Sequence, residues 1–464
     1  MTRRRNTKKK QQKKQQKKQR GGKYVGQGAY GCGFNPEILC VGQADREPGM
    51  FSKLMKIKAA VEEHFIKPTL KKIDPTEKYL FYPQDMCRPD IQRLDPIEDD
   101  VEKCDIFGSD RDAIIKEIQN NSFLLKYKDG GANLENIILK PEEFIPFFRD
   151  LVQILEGLFL MHTNNFHHLD IKRGNIFHKK ISKRSYSFHY IDFGLSLLGD
   201  IPIAQNSPLN NNYFAWPFET RFVHPLFESK QITNGSMTEF YGKEAALYSQ
   251  DLYPTEVLKD VHGTALGNVT LYKTLYNAIF DNPNYILRKT DIYSLGRVLS
   301  ELYSLQFGHK MHYGTIFARK PSDVRNWTSI SKLGSAELVQ WHTDLARDLS
   351  TPFFNLVKDM MNINMTARIN AEKTLSIYKS LLPMFEKYCT AEQISKHLSY
   401  YTPHLAILEP PTPPPTPSDS TQMPLNVTNL FASPYKIPKS YLKLIPSQVR
   451  STKNFSTRRA NRRH

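Results

Sequence analysis

The clearest pattern along the chain is helical. From Glu142 onward, apolar residues fall at Ile145, Phe148, Leu151, Val152, Leu155, Leu158 and Phe159. That is one face at 3.6-residue spacing, and it predicts a core helix. Residues 57–66 carry similar spacing, and Pro68 should stop or kink that helix. Strands are expected at 50–55, 78–82 and 121–127, with a polar insertion at about 83–118 between the last two. Gly130-Gly131 breaks the chain. Beyond it, two short β-runs at 176–177 and 188–191 flank a Lys-rich turn, and helices dominate from 290 to about 386. The first part of the chain thus reads as strand-rich and the second as helix-rich.

The ends differ from the middle. Residues 1–20 are almost entirely Lys, Arg and Gln, cannot bury apolar surface and are expected to be disordered. They hold no apolar run, so a secretory signal is not expected. Residues 409–421 are Pro/Thr/Ser-rich, and the last fifteen residues are basic. The net charge of +17 over 464 residues is concentrated at these ends, and suits nucleic acid or another acidic partner bound non-specifically. The longest apolar stretch, 151–161, is interrupted by Gln153 and Glu156 and is too short to span a bilayer. Five cysteines (Cys32, Cys40, Cys87, Cys104 and Cys389) include no C-x-x-C pair. The odd count leads us to expect free thiols and an intracellular, reducing setting, with Cys32 reactive if exposed.

Three groups of residues suggest chemistry. Gly26-Gln27-Gly28-Ala29-Tyr30-Gly31 can bring backbone N–H groups close to phosphate oxygens, though glycine-rich turns are common and the signal alone is weak. His168-Leu169-Asp170-Ile171-Lys172-Arg173-Gly174-Asn175 offers a base, a cation and a metal-binding amide from one loop. Ile191-Asp192-Phe193-Gly194 then places a carboxylate at a strand end. This order is hard to obtain by chance.

Over about residues 21–390 the chain resembles the eukaryotic-type protein kinases. Finer details, Ser52-Lys53, Lys72-Ile73-Asp74-Pro75 and Trp216-Pro217-Phe218-Glu219 among them, are similar to the kinases of nucleocytoplasmic large DNA viruses. The resemblance implies an α+β, bilobal fold: a small β-rich lobe at 21–125, a hinge at 126–132 and a larger helical lobe at 133–390. A basic tail (1–20) would precede it and a Pro-rich, basic extension (391–464) would follow. It implies Mg2+ and ATP as cofactors and protein Ser/Thr hydroxyls as acceptors. Gly26 to Gly31 would cover ATP, with Leu125 as gatekeeper and Lys126 and Lys128 in the hinge. Lys53, with Lys56 as its rival, would hold phosphates and pair with Glu63 or Glu62. Asp170 would be the base, Lys172 the γ-phosphate cation, and Asn175 and Asp192 the metal ligands. His168, Asp291, and a Glu219–Arg368 ion pair would be structural. Pro254-Thr255-Glu256 competes for the place of Glu219. Lys172 favours Ser/Thr over Tyr substrates.

Leu169 stands where the family has an arginine that pairs with activation-loop phosphate. A leucine has no donor, so activity without that phosphate is expected. His162 and His167 have no third ligand at metal spacing, and no zinc site is expected. Thr412-Pro413 and Thr416-Pro417 fit targets of a proline-directed kinase. The competing readings are a pseudokinase scaffold and a basic virion or nucleic-acid-binding protein with a kinase fold. A viral kinase would act in host cytoplasm, virion or nucleus.

Overall fold

The computed structural model describes residues 22–28, 30–94, 100–108, 111–135, 137, 139, 141–199, 215–217, 220, 283–308, 336–362, 365–390 and 392–393. They are a mixture of antiparallel sheet and helix, an α+β architecture, in two compact units. One unit holds residues up to 77 together with 81–129. The other holds 78–80 and residues from 130 on.

The first unit is built on a five-stranded antiparallel sheet. Its strands are β1 (Tyr24–Gln27), β2 (Gly31–Phe34), β3 (Met50–Lys56), β4 (Asp85–Cys87) and β5 (Ser122–Lys128), in the order β1-β2-β3-β5-β4. Alternation along β3 and β5 sorts side chains onto two faces. Facing pairs Phe51–Tyr127, Lys53–Leu125 and Met55–Phe123 share one face; Ser52–Lys126 and Leu54–Leu124 share the other. Helix α1 (Ile57–Phe65) follows β3 directly and sets Glu63 over the Lys53 face. Helix α2 (Lys67–Ile73) restarts the chain with Pro68 in its first turn, where no N–H is needed.

The opposite face carries the expected polar insertion, which is not merely polar. Leu94, Val101, Cys104, Phe107 and, from helix α3 (Arg111–Asn121), Ile114 and Ile118 are buried with Cys32, Phe34, Ile38, Leu54 and Leu124 in one core. Two disulfides, Cys32–Cys104 and Cys40–Cys87, fasten it. The expectation of free thiols therefore fails for four cysteines. The odd count arises because the fifth, Cys389, lies buried in the other unit. Residues 78–82 are not a strand. The strand is β4, inside the insertion, while Leu80 makes only an isolated bridge to Tyr190 and Tyr79 O accepts the Tyr190 N–H at 2.8 Å.

In the second unit the long amphipathic pattern forms two helices, α4 (Pro141–Asp150) and α5 (Val152–Thr163), with buried Leu151 at the joint. Short strands follow: β6 (Ala132–Asn133) pairs β8 (Ile176–Ser182), which pairs β9 (Ser185–Tyr190); β7 (Phe166–His167) pairs β10 (Leu197–Leu198). Helices α6 (Pro283–Gly308), α7 (Ala336–Leu345), α8 (Thr351–Met360) and α9 (Ala371–Tyr388) complete it, with α9 against α4, α5 and α8. No helix among the described residues is long and apolar enough to cross a membrane.

Candidate functional site

Each unit carries its own cluster of polar side chains. In the first, the Lys53 ammonium sits 2.8 and 3.0 Å from the two carboxylate oxygens of Glu63. Both are largely buried, and the Tyr127 hydroxyl also donates to Glu63. Register explains the trio: Lys53 and Tyr127 project from the same sheet face toward α1. Lys56, by contrast, is exposed at the start of α1, and Glu62 is only half-buried, its carboxyl pushed up by desolvation.

Gly26 to Gly31 forms the β1–β2 hairpin, closed by Gly28 N–H donating to Gly31 O at 2.8 Å. A Cβ on Gly31 would lie 2.5 Å from Met55 Cγ and 2.8 Å from Leu54 O, so only glycine lets this strand pass over β3 beside Lys53. Ala29 lies outside the described residues. Leu125 is buried opposite Lys53. The residues from 126 to 128 expected in a hinge are still β5. Lys126 points to the other face, where its ammonium meets Glu37 at 3.2 Å and Glu47 at 2.8 Å. Lys128 is exposed and pairs with Glu77.

In the second unit, residues 168–175 link β7 to β8, and 191–196 link β9 to β10. Ile191 N–H donates to Asn175 O at 3.0 Å, which sets Asn175 beside the turn carrying Asp192. Asn175 Nδ2 donates to Asp170 Oδ2 (2.7 Å) and Asp170 O (2.9 Å), leaving Oδ1 as the amide atom a cation could use. Lys172 Nζ is 3.2 Å from Asp170 Oδ2. Asp192 adopts φ +60°, a conformation L-residues rarely hold.

The loop is braced from below. Asp291, fully buried on α6, accepts from Leu169 N–H (2.8 Å) and His168 N–H (2.9 Å). His162 Nε2 lies 3.2 Å from it. Burial alone would raise the Asp291 carboxyl; the hydrogen bond to His162 and the electrostatics of the surrounding imidazoles outweigh it and hold it below the ordinary value. His168 takes the Asp170 N–H on Nδ1 (3.2 Å) and has Nε2 3.2 Å from Ile191 O, an arrangement for the neutral ring with its proton on Nε2. Desolvation lowers its pKa and keeps it neutral. Phe193 packs 4.9 Å from its ring.

Leu169, buried and at φ +58°, gives its carbonyl to Trp216 Nε1 at 2.7 Å. Ser294 Oγ in turn donates to Ala215 O at 2.7 Å. Arg368 is buried, donating to Asn362 O and Lys289 O. Its expected partner Glu219 lies outside the described residues, as do Pro254, Thr255, Glu256, Thr412, Thr416 and the basic tails.

Folding supplies a third neighbour for His162 and His167: with Asp291, their ligand-type atoms lie within 4.8 Å of one another. The Asp291 carboxylate, however, is already committed to two backbone N–H groups and His162. The cluster acts as a brace. Sequence reading gave no role to Tyr127 or Ser294, and singled out Trp216 only as part of a motif. Period-two alternation with Leu125 could have found Tyr127, but nothing local marks the bonds of Trp216 and Ser294. No protein-family model matches the chain, and no curated protein matches it.

Proposed function

We propose that the chain is a bilobal Ser/Thr protein kinase, transferring the γ-phosphate of ATP to protein hydroxyls. The observation that carries the reading is the Asp170–Lys172–Asn175 loop, hydrogen-bonded within itself and braced on Asp291. The buried Lys53–Glu63 pair supports it independently.

On this reading the first unit is the nucleotide-covering lobe and the second the catalytic one. Glu63 and Tyr127 fix the Lys53 ammonium, a point charge suited to α/β-phosphate oxygens. The glycines of the hairpin would let its backbone approach phosphate oxygens. The donor set fits Mg2+: a carboxylate on Asp192 and an amide oxygen on Asn175, both hard oxygen ligands. When bound, the metal neutralises phosphate charge and aligns the leaving group. Asp170 orients the acceptor hydroxyl and takes its proton. Lys172, beside Asp170, offers its charge to the transferred phosphoryl group.

A pseudokinase scaffold is the competing reading, but the base, the amide and the metal carboxylate are all present. The viral resemblance puts the kinase in host cytoplasm, virion or nucleus, with the basic tails binding acidic partners non-specifically. Transfer of labelled phosphate from Mg·ATP to a basic protein tests the proposal. Wild type should label Ser and Thr, and Asp170→Asn and Asp192→Asn should be silent. Nucleotide binding without transfer by wild type would move the scaffold reading ahead.

A further inference from the structure

The insertion at 83–121 holds the glycine hairpin at two facing positions. Gln27 and Cys32 are cross-strand partners in β1 and β2. Two consecutive insertion residues grip them: Cys104 is disulfide-bonded to Cys32, and Asp105 N–H donates to Gln27 Oε1 at 2.9 Å. The hairpin is short, and Gly28 at its turn is exposed. Only β3 pairs with β2 on its far side. This grip is therefore a large part of what fixes the turn.

The two bridges differ in access. Cys32 and Cys104 are sealed within the insertion core, whereas Cys40 is at its edge and Cys87 is half-buried. The Cys40–Cys87 bridge joins the insertion to the segment just after β2, beside the isolated Cys40–Pro89 bridge of backbone. A reductant meets it first.

We propose that Cys32–Cys104 is a redox-controlled clamp on the glycine turn, guarded by Cys40–Cys87. The co-reactant is a dithiol. Its thiolate attacks one cysteine sulfur, breaks the S–S bond and forms a mixed disulfide, releasing the other cysteine as a thiolate that takes a proton. The second thiol of the reductant, losing its proton, then resolves the mixed disulfide. Two electrons pass from the dithiol, which becomes a cyclic disulfide, to the protein, which gains two thiols. Reduction removes a closure spanning 72 residues of sequence and frees the hairpin. That the freed element covers nucleotide phosphates rests on the kinase reading.

The test uses the full chain, titrated with dithiothreitol. Free thiols are counted by alkylation under denaturing conditions, and amide exchange is followed over residues 26–34. Before reduction one thiol, that of Cys389, should be alkylated. Cys40–Cys87 should open first with little change at 26–34. Opening of Cys32–Cys104 should then speed exchange there by about tenfold. Cys32→Ala with Cys104→Val, which keeps the core apolar, should reproduce the fast exchange without reductant; Cys40→Ala with Cys87→Ala should not. Five free thiols in the untreated chain would overturn the clamp, as would exchange at 26–34 indifferent to reduction. A nonhydrolysable ATP analogue with Mg2+ separates the two proposals. If it protects 26–34 equally in both redox states, the clamp fails and the kinase reading stands. If exchange responds to reduction but the analogue protects neither state, the clamp stands and the kinase reading fails.

Discussion

Replacing Asp291 by Asn probes the brace under the 168–175 loop. The carboxylate accepts two backbone N–H groups, from His168 and Leu169, and neighbours His162 Nε2, all in a fully buried site. An amide of the same shape has one oxygen. It can keep one N–H, but its NH2 then faces the other donor. A charge-assisted hydrogen bond is worth about 1.5–3 kcal/mol, and an orphaned buried donor costs a similar amount. Leu169 also sits in the left-handed region, at about 1–2 kcal/mol, a strain these bonds offset. Asp291→Asn should therefore destabilise the second unit by about 2–4 kcal/mol. For a unit of this size that is a melting shift of roughly 5–15 °C. Thermal unfolding gives the total. Amide exchange at His168 and Leu169 locates it, and both amides should lose protection before the flanking strands do. A melting point within a degree of wild type, with both amides still protected, would refute the argument that this carboxylate holds the loop.

On the proposed kinase reading, Glu63→Gln should impair phosphoryl transfer as well as folding. It leaves Lys53 with a neutral partner at a largely buried site, where breaking an ion pair from one side costs about 3–5 kcal/mol; steady-state kinetics and a melt on the same preparation separate the two. On the proposed kinase reading, activity should survive phosphatase treatment, because Leu169 has no donor for a phosphate and residues 215–217 are anchored by Trp216 N–H to Leu169 O and by Ser294 to Ala215 O. Trp216→Phe, which removes one of those bonds, should lower activity, and loss of activity on dephosphorylating wild type would contradict this account. Stability should fall on acidification from about pH 6.5 to 4, since burial pushes His167 down to about 4 while the unfolded chain protonates near its ordinary 6.5. The folded state then binds fewer protons, so stability is present above pH 6.5 and is lost as pH falls, by up to about 3 kcal/mol for this group. In His167→Gln the denaturation midpoint should depend less on pH across that window.

Much of the local architecture follows from the chain alone. Strand β3, helix α1, the break at Pro68, the amphipathic run that becomes α4 and α5, and the residues of the 168–175 and 191–194 turns are legible because each is set by near neighbours: alternation, 3.6-residue spacing, glycine and proline. Where the pattern depended on distant partners it was misread. Residues 78–82 look like a strand because they are aromatic and apolar, but Leu80 and Tyr82 are buried with no more than an isolated bridge at Leu80, and the hydrogen bonds of β5 go to the less apolar β4. The stretch at 83–118 looks polar because its few apolar residues are spread across turns, and they form a core only once Cys32, Leu54 and Leu124 present a sheet face to them. Cysteine spacing cannot show pairing across 47 and 72 residues, since a disulfide asks only that two Cα atoms meet at the right separation. The same holds for the choice of Lys53 over Lys56 and of Glu63 over Glu62. Side-chain identity made all four candidates, while strand register and helix phase decided which two meet. The sequence by itself thus determined which residues could do chemistry. Tertiary structure decided which of them are held, because a buried charge is positioned by the partners that compensate its lost hydration, and those partners come from elsewhere in the chain.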